Sequence, residues 1–205
     1  MKSKKLIIVA ALSGALTTGA YASDISPYIG GRVGFQTLTQ DGSDTANTGL
    51  SYAGAIGARW KGEIMNLRGE IEYSLASFSN EDESYPGPST TLKTEFKFNP
   101  TTYMANFYAD FLTNYKIRPY LGAGLGMVDW DWSLKTDLHY NSGVVVPISD
   151  YNYSKNGFIY GLYGGIGFNM VAGLDGDIGM RYTATTIENV GFWLLSLNFG
   201  LRYTF

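Results

Sequence analysis

Cysteine is absent from the chain, histidine occurs once (His139), and no run of eighteen apolar residues follows position 22. Without cysteine neither a disulfide nor a thiolate metal site can form, so the fold must be stable without covalent cross-links. A single histidine also gives no cluster of metal ligands, so the sequence implies no metal and no cofactor. The missing apolar run excludes a membrane-spanning helix from the part of the chain after position 22.

The first 22 residues follow the order of a secretory signal peptide. A basic start, an apolar run and a small-residue pattern succeed one another at Lys2, Lys4 and Lys5, then Leu6 to Leu16, then Ala20 to Ala22. The sequence therefore predicts a cleaved leader over residues 1–22 and one domain over residues 23–205. Cleavage would remove three of the 15 basic residues and leave 12 against 18 acidic ones. This negative balance argues against nucleic acid as a partner.

The last fifteen residues alternate between apolar and polar side chains. The apolar set is Trp193, Leu195, Leu197, Phe199, Leu201, Tyr203 and Phe205, and only Phe192 and Leu194 depart from the alternation. Side chains of a β-strand point to opposite faces in turn, so one face of this segment meets an apolar environment and the other a polar one.

Eight segments show this alternation, and short and long connections between them follow in turn. They are Pro27–Thr39, Gly49–Trp60, Leu67–Ser79, Thr101–Leu112, Ile117–Trp130, Gly157–Met170, Leu174–Thr186 and Gly191–Phe205. Such segments are typical of barrels that span an outer membrane. In lipid, a sheet provides every backbone N–H and C=O group with a hydrogen bond only when it closes on itself. The sequence predicts an all-β fold, an eight-stranded antiparallel up-and-down transmembrane β-barrel. This places the protein in the outer membrane of a Gram-negative bacterium, among outer-membrane lipid and lipopolysaccharide.

The two longest connections are Asn80–Pro100 and Asp131–Asn156, and we expect both to be external loops, the first extending a strand at its far end. Aromatic residues near the strand ends, among them Trp60, Trp130, Trp132 and Trp193, predict interfacial girdles. The alternative is that Trp130 and Trp132 bind a ligand at the mouth of the barrel.

All six arginines and five acidic residues fall on the predicted inward face, whereas none of the nine lysines does. These eleven residues are Arg32, Arg59, Arg68, Glu70, Glu72, Asp110, Arg118, Asp175, Asp177, Arg181 and Arg202. Because guanidinium groups bind carboxylates with two parallel hydrogen bonds, we expect a network of ion pairs in the lumen. The network can be packing that fills a narrow barrel or the lining of an ion path, and an eight-stranded interior favours packing.

Two patterns in the sequence resemble sites of known chemistry. The glycines of Gly122–Gly126 resemble a phosphate loop, but they lie within an alternating strand and open no helix. His139, with Asp137 before it and Ser142 after it, suggests a hydrolase triad, yet a triad needs a mutual geometry that spacing cannot supply. The sequence therefore predicts no catalytic site. A narrow channel and a lipid-modifying enzyme remain as alternative functions.

Three segments, Ile117–Gly126, Asp177–Tyr182 and Gly200–Phe205, resemble the opacity-type outer-membrane β-barrel proteins, which include bacterial surface antigens related to the transmembrane domain of the OmpA type. The resemblance implies a monomer at the cell surface with a structural or adhesin-like and antigen-like role, and a host or cell-surface ligand for its external loops. It also implies that the barrel-assembly machinery reads the final Phe205 with Tyr203. Because the chain ends at the barrel, we expect it to lack the peptidoglycan-binding domain of larger relatives.

Overall fold

The structure, a computed structural model, describes residues 24–40, 46–79, 83–87, 90–140, 142, 144–187 and 190–205. The predicted leader over residues 1–22 lies outside the described residues. Among the residues that are described, no helix has the length and apolar character needed to cross a membrane.

The described part of the chain forms nine β-strands. They are β1 (Ile25–Gln40), β2 (Ala46–Trp60), β3 (Met65–Ser79), β4 (Glu83–Pro86), β5 (Thr90–Phe111), β6 (Ile117–Tyr140), β7 (Val145–Val171), β8 (Leu174–Ile187) and β9 (Val190–Thr204). Eight of them pair antiparallel in a closed ring, because β3 pairs with β5 and β1 pairs with β9. The short β4 lies outside the ring, on the edge of β5. The predicted eight-stranded up-and-down barrel is confirmed.

Side chains alternate between the outside and the inside of the ring along each strand. On β9, Leu197 and Leu201 are exposed on the outside, whereas Ser196, which precedes Leu197, and Arg202, which follows Leu201, are buried on the inside. A slip of one residue would turn the guanidinium of Arg202 toward lipid, so the alternation specifies the register of the pairs. The register joins Tyr203 of β9 to Ile29 of β1 and closes the ring.

Short turns connect the strands at one end of the barrel, at residues 61–64, 112–116 and 172–173. In the tightest of them Gly173 has φ of 78°, a conformation that residues with a side chain rarely adopt. Its carbonyl accepts a hydrogen bond from the Thr204 amide at 2.7 Å, which attaches the turn to the end of β9. Short turns mark the periplasmic end of such barrels.

The three strands β5, β6 and β7 are longer than the others, with 22, 24 and 27 residues against 14 to 16 in the other five strands of the ring. Their outer parts, Thr90–Pro100, Trp130–Tyr140 and Val145–Gly157, form a sheet above the barrel that we call the extension. The prediction of Asp131–Asn156 as a loop is therefore wrong, because most of it forms a hairpin of β6 and β7. The expected strand extension at the far end of Asn80–Pro100 is confirmed.

Candidate functional site

The lumen holds the charged residues in layers, and the layer nearest the periplasmic turns is centred on Asp175 of β8. Its carboxylate accepts hydrogen bonds from the guanidinium groups of Arg59 and of Arg118, the latter at 2.9 Å. Arg202 Nε lies 3.8 Å from the same carboxylate. Three arginines from three strands thus surround one aspartate, and this layer carries an excess of positive charge.

The second layer is the pair of Arg68 on β3 and Asp110 on β5, which are neighbouring strands. Arg68 Nε donates to Asp110 Oδ2 at 2.8 Å, and Nη2 donates to Oδ1 at 2.8 Å, so the contact is bidentate. The guanidinium also lies 4.4 Å from the ring centroid of Tyr108 and 5.2 Å from that of Tyr120. A buried guanidinium gains from both kinds of contact because water cannot solvate it.

The third layer joins Glu70 and Glu72 of β3 to arginines across the lumen. Arg32 of β1 donates to Glu70 Oε1 at 2.7 Å and to Oε2 at 3.0 Å, and it also contacts Glu72. Arg181 of β8 lies 2.7 Å from Glu72 Oε1. Tyr28 and Tyr108 donate their hydroxyl groups to Glu70, each at 2.9 Å, so this carboxylate is satisfied on all sides.

Ten of the eleven inward charged residues named from the sequence take part in these ion pairs. The eleventh, Asp177, accepts a hydrogen bond of 3.4 Å from the Tyr120 hydroxyl. Tyr203 and Phe205 lie on the outside at the periplasmic end, with ring centroids 5.3 Å apart.

A row of glycines on β6 makes room for the large side chains of the lumen. A Cβ added to Gly124 would collide with Asn106 Oδ1 and would lie 2.6 Å from the Tyr163 hydroxyl. These two groups are hydrogen-bonded to each other at 2.8 Å. The glycine is required here because the hydrogen-bonded side chains of Asn106 and Tyr163, on the two strands that flank β6, occupy the space a side chain would need.

Above the charged layers the lumen is closed by an apolar plug, which sequence reasoning missed. Trp130 is 1% exposed, and its ring lies 4.7 Å from that of Phe98 and 5.2 Å from that of Phe192. The other members of the plug are Phe78, Val128, Ile159 and Leu194. The girdle prediction is therefore wrong for Trp130, which faces the lumen. Phe192 and Leu194, which depart from the alternation, are the inward apolar residues of β9 that complete the plug.

Little space remains inside the barrel. The cavity between Trp130, Met104 and Arg181 has a volume of about 30 Å³, and that between Arg32 and Asp177 about 10 Å³. A larger cavity of about 830 Å³ opens at the periplasmic end and is lined by Arg59, Arg118 and Asp175.

The polarity of the wall reverses where the extension begins. On β6 the outward side carries Leu125 and Met127 and then, in the same alternation, Asp129 and Asp131. On the opposite, lumen-facing side, Trp132 follows Trp130 and packs against Phe98 and Tyr153, with ring centroids 6.3 Å and 6.1 Å apart. The girdle prediction is thus wrong for Trp132 as well. An apolar outside suits lipid and a polar outside suits water, so the wall leaves the membrane at this height.

The residues considered for a triad do not form one in the described part of the chain. Asp137 and His139 both lie on β6, and Asp137 Oδ2 is 3.4 Å from Lys135 Nζ. Among the described hydrogen bonds none joins His139 to Asp137 or Ser142, and the described residues hold no group of three or more His, Asp or Glu that could bind a metal.

A closed ring of antiparallel strands with an apolar outside, a charged interior and short turns at one end defines an integral outer-membrane β-barrel. The sequence profile of the outer membrane protein beta-barrel domain matches residues 8–205, and the chain belongs to this family. The protein is therefore located in the outer membrane.

Among solved structures, Neisserial surface protein A (NspA) is similar to the chain, with 23% identity, a TM-score of 0.53, and coverage of 87% of this chain and 97% of that one. Ail, the attachment invasion locus protein of Yersinia pestis, in complex with the heparin analogue sucrose octasulfate, has 16% identity, a TM-score of 0.49, and coverage of 88% and 99%. The outer membrane enzyme PagL has 16% identity, a TM-score of 0.49, and coverage of 82% and 97%. The similarity to NspA concerns the fold. A search of curated protein sequences finds no match.

Proposed function

We propose that the protein is a closed, non-catalytic outer-membrane barrel that makes contacts at the cell surface through its extension. The observation that carries the proposal is the apolar plug around Trp130, which covers the lumen above the ion pairs. A side-chain-filled lumen has no continuous path for solutes, and the surface that such a protein offers to other molecules is then its outer end.

Side chains block the lumen at two heights, by ion pairs at the centre of the barrel and by the apolar plug above them. The pairs of Arg32, Arg181, Glu70 and Glu72 bridge β1, β3 and β8 across the centre of the barrel. Among the described residues, the cavity between the plug and Arg181 has a volume of about 30 Å³, which holds about one water molecule. A hydrated ion would have to break ion pairs and displace aromatic rings to pass.

The extension supports a role in surface contacts because it adds nothing to membrane anchoring. Its outward side carries Asp131, Ser133 and Lys135, which are unsuited to lipid. The strands nevertheless continue their pairing through His139 and Val145, about ten residues beyond the point where the wall turns polar. Ordered strands that stand clear of the membrane present a shaped surface to whatever lies outside.

The proposal includes the steps that bring the protein to this position. The leader over residues 1–22 is cleaved on export, residues 23–205 form the barrel, and the barrel-assembly machinery recognises Tyr203 and Phe205 before insertion among lipid and lipopolysaccharide. We expect the protein to act as a monomer, and in support of this the ring needs no second chain to close. Its extension contacts a host or cell-surface ligand.

Recordings in planar lipid bilayers test the closed lumen. We expect no steady current from the refolded protein, with a porin in the same bilayer as the positive control and a gel-mobility assay to show that the protein is folded. A steady open current would contradict the proposal and would favour the second candidate, a narrow channel. The observation in favour of that candidate is the cavity of about 830 Å³ at the periplasmic end, which the charged layers and the plug separate from the outside.

A further inference from the structure

One edge of the extension has no neighbouring strand among the described residues. Strand β8 first pairs with β7 at Ile159, opposite Thr185, and from Val145 to Phe158 the strand pairs only with β6. We call the part from Ser149 to Gly157 the open edge. At about 3.3 Å per residue it offers roughly 30 Å of backbone.

The opposite edge of the extension, formed by β5, is covered by another strand of the chain. There β5 rises above the end of β3, and β4 pairs with it, Glu83 to Pro86 lying opposite Thr94 to Thr91. The chain thus adds a strand of its own to one side of the extension. Among the described residues, nothing equivalent covers the other side.

The backbone of β7 points its hydrogen-bonding groups into the open edge at alternate residues. The Phe158 carbonyl accepts from Thr185 Oγ1 at 2.6 Å and so points toward the β8 side of the strand. In an antiparallel pair the N–H and C=O of one residue point to the same side, and this side recurs every second residue. The backbone N–H and C=O groups of Asn152, Ser154 and Asn156 therefore lie in the plane of the sheet and point away from β6.

Two of the usual protections of an edge strand, proline and an irregular register, lie beyond this stretch, whose charged residues are Asp150 and Lys155. Pro147 and the irregular register at Thr136 and Asp137 occur only near the tip, above Ser149. Proteins commonly protect exposed edges with proline, bulges or a covering segment, because an unpaired edge is a template for another strand. Between Ser149 and Gly157 neither a proline nor a shift in register interrupts this template.

We infer that the open edge of β7 binds an extended peptide segment of another protein as an additional antiparallel strand. The side chains of Tyr151 and Tyr153 stand on the lumen-facing side, and those of Asn152 and Ser154 on the other. The side chains of a strand added beside them point alternately to the lumen-facing side and to the opposite side of the sheet. The segment therefore carries apolar or aromatic residues at every second position, which pack on the two tyrosines, and polar residues between them.

A second copy of this chain fits the open edge less well than a separate peptide. All copies in one membrane have β7 running toward the periplasm, so two open edges could pair only in parallel, which is the weaker arrangement. A rotation about the membrane normal would also place the Tyr151 side of one copy beside the polar side of the other. A peptide from outside is free to run antiparallel with matching sides.

The test uses the full barrel in lipid nanodiscs and a fluorescent peptide of alternating valine and threonine with lysine at both ends, as long as the open edge. The control peptide has the same sequence with alternate backbone amides methylated, which removes hydrogen-bond donors and keeps the side chains. We expect the first peptide to bind and the methylated one to bind about tenfold more weakly or not at all. Equal binding of the two peptides, or no binding of either, would overturn the inference.

Two substitutions of Ser154 test whether the peptide binds at the open edge. Ser154→Pro removes an N–H that points into the open edge and leaves the β6 pairs intact, and Ser154→Ala keeps the N–H. We expect about tenfold weaker binding to S154P and unchanged binding to S154A, both variants having the gel mobility of a folded barrel. Equal binding to S154P and to the unchanged protein would overturn the inference.

Amide hydrogen exchange followed by NMR gives a second readout. Without peptide, we expect Tyr151 and Tyr153 amides to be protected by β6 and Asn152 and Ser154 amides to exchange rapidly. With the unmethylated peptide, the latter two become protected. Protection of Asn152 and Ser154 without peptide, rising with protein concentration, would assign the edge to a second copy and overturn the inference.

This inference rests on the proposed surface role of the extension, but the two can fail separately. A barrel that conducts ions and still binds the peptide would contradict only the closed lumen. A closed barrel that does not distinguish the two peptides would contradict only the open edge.

Discussion

The Trp130 ring of β6 stacks on the Phe98 ring of β5, with centroids 4.7 Å apart. The pair lies just above Met127, the last apolar residue on the outward side of β6 before Asp129. The lumen is thus closed at the height where the wall leaves the lipid. Below this height the interior is charged and the outside apolar, and above it the interior is apolar and the outside polar.

The glycine row predicts a contrast between two Gly→Ala variants. Alanine at Gly124 would collide with Asn106, whereas a Cβ at Gly54 meets nothing within 4 Å. We expect G124A to lower the free energy of unfolding by about 1–3 kcal/mol. We expect G54A to change it by no more than about 0.5 kcal/mol. Urea unfolding in lipid vesicles measures both, and equal effects would contradict the packing described for Asn106 and Tyr163.

The Arg68 and Asp110 pair predicts a large cost when one partner is removed. Asp110→Ala leaves the guanidinium of Arg68, 2% exposed, without its carboxylate. The expected loss is about 3–5 kcal/mol in the free energy of unfolding, because an uncompensated charge remains in the lumen. The double variant Arg68→Met with Asp110→Leu removes both charges and should be more stable than D110A. A double variant no more stable than D110A would show that the loss does not come from the unpaired charge.

The reversal of polarity predicts that an outward charge is costly only in the lower part of the wall. Leu125→Arg places a guanidinium in the apolar band and should cost about 2–4 kcal/mol. Ser133→Arg, on the same side of β6 within the extension, should change the stability by about 0.5 kcal/mol or less. Similar losses at Leu125 and Ser133 would mean that the membrane reaches into the extension.

The proposed absence of catalysis is tested on lipid A. We expect mass spectra of lipid A to be the same for cells with the protein, cells without it, and cells with the variant His139→Ala. The reason is that Asp137 is engaged with Lys135 rather than with His139. A change in acylation that depends on the protein and is lost in H139A would establish the lipid-modifying alternative.

The strands of the barrel and the outer part of β5 were predictable from local sequence, but the hairpin that β6 and β7 form above the barrel was not. The alternation of β9 is regular because lipid and lumen select opposite side chains at successive positions. In Asp131–Asn156 both sides of the sheet carry polar or aromatic residues, so the pattern loses its contrast although the strands continue. Trp130 was misassigned for a related reason, since tryptophan suits an interface as well as an apolar lumen.

The side of the wall on which the charged residues of the barrel lie was determined by the sequence, because the period of a strand is two and a charge in lipid is costly. The contacts across the lumen were decided by the tertiary structure. Arg59 and Asp175 are 116 residues apart and meet because the number and stagger of the strands place β2 opposite β8. The open edge of β7 follows likewise from the difference in length between two neighbouring strands, which only their pairing reveals.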